Sequence, residues 1–297
     1  MISNRCKLVV SAALLCGWAA VSLGVAPFDG WPLSVGGGLD DNQDHRDPPV
    51  ASLEQPEPAA PDRPTIRIPR GPLVMDLTGI FDLVITGRPI PIVEAGTARV
   101  VIERELERYP TGLIASNELS ARAVVSSVFV YRDLTVNGLQ AGGTYIPPGL
   151  VYLAIGTRAS RGPIWEEFII RALHHEISSQ LLFRYRSLFD EESFRGLLPD
   201  GFVYEDERPG ADTSDIQYDV NRVESLQDLS DGFLTEFASR NMEQDFNTYA
   251  EVLMWRPELL DQFDAQSRVA RKAAIVREFY ISIDGDFEAV LRGAGCP

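Results

Sequence analysis

The residues whose types and spacing could do chemistry lie in Leu173-His174-His175-Glu176-Ile177-Ser178-Ser179-Gln180. Two histidines one helical turn apart, with a glutamate after the first, grip zinc from one helix face while the glutamate activates a metal-bound water. This stretch follows that H-E-x-x-H pattern as far as Glu176, but Ser179 stands where the second histidine would be. At 100° per residue His175 and Ser179 share a face, while His174 points about 100° away, so the two histidines cannot chelate one ion from a regular helix. Ile169, Leu173, Ile177 and Leu181 form an apolar stripe, and Glu176 falls at its edge. A neutral hydroxyl is a poor zinc ligand. The other histidine of the chain, His45, lies far upstream, so a metal here would need His175 plus carboxylates from elsewhere. A His-His-Glu triplet on a long helix also serves as ordinary buried structure. A serine hydrolase using Ser179 with His175 is disfavoured, because no G-x-S-x-G turn is present and a mid-helix serine has no oxyanion hole.

Sheet first and helices after describe the elements that must position these side chains. "LTGIFDLVITG" reads as a strand pair around a turn, and "AGTARVVIERELERY" has apolar residues at helical spacing. "ARAVVSSVFVYRDLTV" is a strand ending at Asn137-Gly138, a tight-hairpin signal, and "GLVYLAIGT" is another. From Pro163 the pattern turns helical, with Glu166 and Glu167 in the first turn, and it continues to about Phe189. A second helix, capped by Asn241 with Gln244 three residues on, runs to Arg256-Pro257, and a last one covers about Ala265 to Tyr280. The fold class expected is α+β.

The chain's ends bound its setting. Arg5 and Lys7 precede an uncharged run from Leu8 to Ala26, so residues 1–26 are expected to be a signal peptide or membrane anchor, with residues 8–26 available for membrane attachment. Residues 27–72 hold half of the 20 prolines and read as a Pro/Asp/Gly-rich disordered tether. Residues 73–297 are then one extracytoplasmic domain, secreted, periplasmic or anchored. Cys6 and Cys16 belong to the export run, so Cys296 alone remains and no internal disulfide forms in the domain. A net charge of −16 excludes a nucleic-acid partner. Lysine is nearly absent, with Lys7 and Lys272 alone.

Three downstream stretches follow the helix in order: "LLPDGFVY" (197–204), "DGFLTEFA" (231–238) and "NMEQDFNTYAEVL" (241–253). Together with the His-His-Glu helix they resemble a group of exported bacterial zinc metallopeptidases of the gluzincin type, over residues 163 to about 255. The resemblance implies a zincin-like fold, a β-rich part followed by an active-site helix and C-terminal helices. It implies His175 as a metal ligand, Glu176 as general base, Glu243 as third ligand, and Asp245 as a ligand or the carboxylate that orients His175. Tyr204 or Tyr249 would stabilise an oxyanion. The implied cofactor is zinc, but with Ser179 in the ligand register a weaker or different divalent ion such as Mn²⁺ or Ca²⁺, or none, becomes the alternative. The function implied is an exported metal-dependent hydrolase acting on a peptide or protein substrate, with Glu176 activating a metal-bound water and the missing second histidine impairing it; the alternative is a non-catalytic zincin-like binding domain, a pseudo-peptidase.

Overall fold

A long central strand organises the domain. The computed structural model describes residues 63–78, 83–114, 123–147, 149–208 and 226–292, so the export run, residues 27–62 of the tether and Cys296 fall outside the described residues, while residues 65–67 of the expected tether form a strand of the domain. Strands β1 (Thr65–Arg67), β2 (Leu73–Asp76), β3 (Val84–Pro89), β4 (Ser127–Val136), β5 (Leu139–Ala141), β6 (Gly143–Ile146) and β7 (Leu150–Ala154) build one mixed sheet. β4 is its spine. On one side it pairs with β3 antiparallel and with β1 parallel, and on the other with β7 parallel and β5 antiparallel. β6 pairs antiparallel with β7 and β2 with β3, which puts β6 and β2 at the two ends of the strand order. The β4–β5 turn has Asn137 at φ 51° and Gly138 at φ 84°, the left-handed pair that an Asn-Gly hairpin turn requires.

Both faces of the sheet carry buried apolar side chains. Val128 and Val130 of β4 and Val151 and Leu153 of β7 point into the larger core, while Phe129, Tyr131 and Tyr152 point to the opposite face with Ile85 and Ile146. This alternation breaks where the register steps from Arg88↔Asp133 to Pro89↔Tyr131. Arg132 is the extra residue of a bulge, and beyond it Leu134 falls on the same face as Tyr131.

Four longer helices complete the fold: α1 (Ile92–Leu106), α2 (Trp165–Tyr185), α3 (Met242–Trp255) and α4 (Arg268–Ile283). The architecture is α+β, with a mixed sheet and several helices. No helix among the described residues is long and apolar enough to cross a membrane. α2 ends four residues before the expected Phe189, because residues 186–188 tighten into a 3-10 turn. α3 starts where the Asn241 side chain accepts from the Gln244 backbone N–H at 2.9 Å. α4 begins three residues later than the expected Ala265, since Ser267 caps it by accepting from Ala270 N–H at 3.1 Å.

α2 is buried along most of its length, from Trp165 to Leu182, between the sheet and α3. Gln180 ties it to the β6–β7 turn by donating to the carbonyl oxygens of Ile146 (3.4 Å) and Leu150 (3.3 Å). Ile177 is fully buried in this layer, whereas Val100 on α1 is 62% exposed. Ile177→Ala should therefore cost about 2–5 kcal/mol in urea unfolding, and Val100→Ala should stay within about 0.5 kcal/mol of the parent.

Candidate functional site

α2 and α3 run side by side, joined by a ladder of polar side chains. On α2 the rungs are Arg171, His175 and Ser179, one turn apart; on α3 they are Glu251, Asn247 and Glu243, also one turn apart. Arg171 Nε donates to Glu251 Oε2 at 3.1 Å, and Glu251 Oε1 holds His175 Nδ1 at 2.6 Å. Asn247 Nδ2 lies 3.3 Å from His175 Nε2 and donates to Ser179 Oγ at 2.8 Å. Ser179 in turn hydrogen-bonds Glu243, whose Oε1 also accepts from Tyr145 Oη on β6 at 3.5 Å. Glu251 and Asn247 are wholly buried, and Ser179 and His175 are nearly so.

Electrostatics follow from this burial. Burial opposes a charge on His175, but the Glu251 carboxylate, with Glu176 and Glu243 nearby, holds its pKa above the ordinary value. Burial pushes Glu176 up to about 7, with Glu243 and Glu251 adding repulsion that His175 partly offsets. Glu243 is likewise raised by burial, against the Ser179 hydroxyl and His175. Glu176 lies flat against β6: a Cβ added at Gly143 would sit 2.5 Å from Glu176 Oε1, so only glycine permits the approach. His174 belongs elsewhere, bonded to Tyr109 Oη (2.8 Å) and Glu105 Oε2 (3.3 Å) and lowered in pKa by burial. It is a structural histidine.

The structure thus brings His175, Glu176 and Glu243 together, but it sends Asp245, Tyr204 and Tyr249 to another place. Asp245 is two residues from Glu243 and from Asn247, which turns it about 200° to the far flank of α3. There its Oδ2 accepts from Lys272 Nζ (2.6 Å) and Tyr204 Oη (2.8 Å), with all three residues wholly buried. Lys272 also donates to the Gly232 carbonyl oxygen at 3.1 Å, and so does Tyr249 Oη at 2.8 Å. Burial pushes Asp245 up to about 6 and lowers Lys272. The orienting role expected of Asp245 is corrected: Glu251 fills it. The two tyrosine hydroxyls expected to stabilise an oxyanion are taken by Asp245 and a backbone carbonyl.

Asn247 and Glu251, with Arg171 and Tyr145, are the site residues that the motif reading missed. The first two carried a signal: residues 243, 247 and 251 recur at i, i+4 and i+8, the same step as 171, 175 and 179. Tyr145 carried none, since its part depends on where β6 lies.

The side chains present do not fit a zinc site. Among the described residues no group of three His, Cys, Asp or Glu side chains is arranged to hold a metal ion. The reason is local. A ligating imidazole offers one nitrogen lone pair to the ion and its other N–H to a carboxylate. His175 has the carboxylate, Glu251, but its Nε2 faces the Asn247 side-chain amide. The Ser178 hydroxyl, with one proton, lies 2.6 Å from the His175 carbonyl oxygen and 2.5 Å from Asn247 Oδ1. Turning the amide over would give that hydroxyl a donor and present an oxygen to a protonated Nε2. In either orientation Nε2 is engaged by Asn247.

Two outcomes are expected from these contacts. Glu176 has a folded pKa of about 7 against an ordinary 4.5, so the folded state binds the proton more tightly and this contribution to stability, full below 4.5, is lost as pH rises through about 7. Glu176→Gln should therefore gain on the order of 2 kcal/mol over the parent at pH 8 and little at pH 5, in urea unfolding at both values; an equal gain at both would contradict the buried, raised carboxyl. Lys272→Met leaves the Asp245 carboxylate buried without a cation and should cost about 3–5 kcal/mol, most of it recovered in Lys272→Met/Asp245→Leu. No family model, curated protein or solved structure matches the chain, so the reading of its chemistry rests on this geometry.

Proposed function

We propose that residues 63–292 form a zincin-like domain that binds an extended peptide and does not hydrolyse it. The observation that carries this reading is the Asn247 amide, which engages His175 Nε2 and Ser179 Oγ together, where H-E-x-x-H would place a metal between two imidazoles. The Asn247 amide and the Ser179 hydroxyl are neutral, poor zinc ligands, and this carboxamide–hydroxyl pair holds the two helices in register. The zincin-like part of the reading is supported by the arrangement of a His-Glu helix beneath an antiparallel edge strand, with a second helix bringing polar side chains to it from far along the chain.

The binding surface is β6. Among the described residues it pairs with β7 and with no second strand. An extended chain can add there as a further strand, taking main-chain hydrogen bonds for affinity and side-chain contacts for specificity. A second reading, an exported metal-dependent hydrolase, is favoured by one observation: Glu176 keeps a carboxyl beside His175 with no hydrogen-bond partner among the described residues. Location outside the cytoplasm, with residues 8–26 as signal or anchor, is part of both readings.

A zinc titration separates them. The parent chain should show no zinc-dependent rise in melting temperature and should leave a mixed peptide library uncut with or without added Zn²⁺, Mn²⁺ or Ca²⁺. The double variant Ser179→His/Asn247→Glu restores two strong ligands on the faces that already meet at His175. It should gain about 2.7 kcal/mol of stability when zinc is at a hundredfold excess over its Kd. Stoichiometric zinc on the parent, or metal-dependent cleavage lost in Glu176→Gln, would overturn the binding reading in favour of the hydrolase.

A further inference from the structure

The Lys272–Asp245 pair stands out among the buried charged groups. Lys272 is the one lysine of residues 63–292, in a chain that elsewhere uses arginine. It is wholly buried, with Nζ 2.6 Å from Asp245 Oδ2 and lying over the Phe194 and Phe233 rings. An arginine can also pair with a carboxylate, but its guanidinium keeps its proton; a lysine amine becomes a nucleophile on losing one. The bonds around the pair are uneven. Asp245 Oδ2 accepts from Lys272 and from Tyr204 Oη at 2.8 Å, whereas Oδ1 is buried with no hydrogen-bond partner among the described residues. A buried carboxylate oxygen left unpaired is costly. Lys272 Nζ has a second acceptor, the Gly232 carbonyl oxygen at 3.1 Å.

We propose that Lys272 and Asp245 are the site of a slow intramolecular condensation, which joins α4 to α3 through an amide between Lys272 Nζ and Asp245 Cγ. A proton passes from the ammonium to the carboxylate, leaving an amine and a carboxylic acid. The Nζ–Cγ bond then forms and the Cγ–Oδ1 bond breaks. Oδ1 departs as water, carrying the acid proton and one proton from the amine. The contacts suit the product better than the reactants. Oδ2 stays as the amide oxygen with the Tyr204 hydroxyl against it, and the remaining N–H has the Gly232 carbonyl oxygen. The oxygen without a partner is the one that leaves. Two buried charges disappear, and groups held in contact react far more readily than free molecules do. The aromatic rings around the pair keep out the water that would reverse the step. The step is slow because, among the described residues, Tyr204 is the one acid–base side chain bonded to the pair, and a phenol is a poor proton carrier near neutral pH. The newly folded chain therefore holds the ion pair described above, and the amide accumulates with age. The site does not depend on whether the domain binds a peptide.

The test is the intact mass of the full-length chain, held folded at neutral pH and sampled over weeks, with a tryptic digest of each sample. The mass should fall by one water, and the digest should show the peptide containing Lys272 joined to the peptide containing Asp245. The same chain held unfolded in urea should form no such link, because the two groups meet only in the fold. Lys272→Arg keeps the charge and should also form none. Asp-Gly sequences such as Asp200-Gly201, Asp231-Gly232 and Asp284-Gly285 can lose water by closing a succinimide. A loss placed there, with Lys272 and Asp245 still in separate peptides, overturns the proposal. An unchanged mass in the aged, folded parent overturns it as well, and that result needs no variant to interpret. If the Lys272–Asp245 link forms as readily in urea as in the folded chain, the buried geometry is not its cause and the proposal falls.

Discussion

The contact on which the rest of this domain depends is the polar ladder between α2 and α3. Two buried helices could meet through leucines alone, and such an interface would slide or rotate at little cost. Here each turn of one helix is matched to a turn of the other by a pair that bonds well in one register: Arg171 with Glu251, His175 with Asn247, Ser179 with Glu243. A shift by one turn would leave several buried polar groups unpaired, each costing about 1–3 kcal/mol. The ladder therefore sets the phase of α3, and the phase of α3 sends Asp245 toward Lys272 and Glu243 toward β6. The apolar residues around it, such as Ile169, Leu173, Phe246 and Leu253, supply burial but not register.

The far flank of α3 shows the same economy of position with different chemistry. Asp245 and Lys272 meet among Phe194, Phe233 and Tyr249, with the ammonium 4.5 Å from the centre of the Phe233 ring. Both pKa values are pulled toward neutrality by burial, so the pair sits where taking two ions out of water nearly cancels their attraction. Its contribution is specificity: it anchors α4 to α3 through one bond that only this arrangement satisfies. α3 thus carries two unrelated polar seams on opposite faces, and the segment "EQDFNTYAE" interleaves them at spacings of two and four.

How much of this was legible in the sequence depended on range. Asn137-Gly138, the Asn241 cap and the apolar stripe of α2 are local signals, and each led to the element observed. His175 and Ser179 on one face followed from helix geometry alone. Glu243 was legible as a first-turn acid on the right helix, but choosing between it and Asp245 required the phase of α3, which no local rule supplies. The i, i+4, i+8 run of Glu243, Asn247 and Glu251 held that phase and would have favoured Asn247 as the partner of His175. Gly143 against Glu176 was invisible, since it joins an edge strand to a helix more than thirty residues away.

The scarcity of lysine has a consequence for the surface. Lys272 is the sole lysine between residues 63 and 292, and it is wholly buried. Every described basic side chain able to meet solvent is therefore a guanidinium, which stays charged across the physiological range and resists acylating reagents. The folded domain offers no side-chain amine to acetylating, glycating or ligating chemistry. Lys272 becomes reachable only when α3 and α4 part, so the rate at which an amine-selective reagent modifies it would time the opening of the core itself.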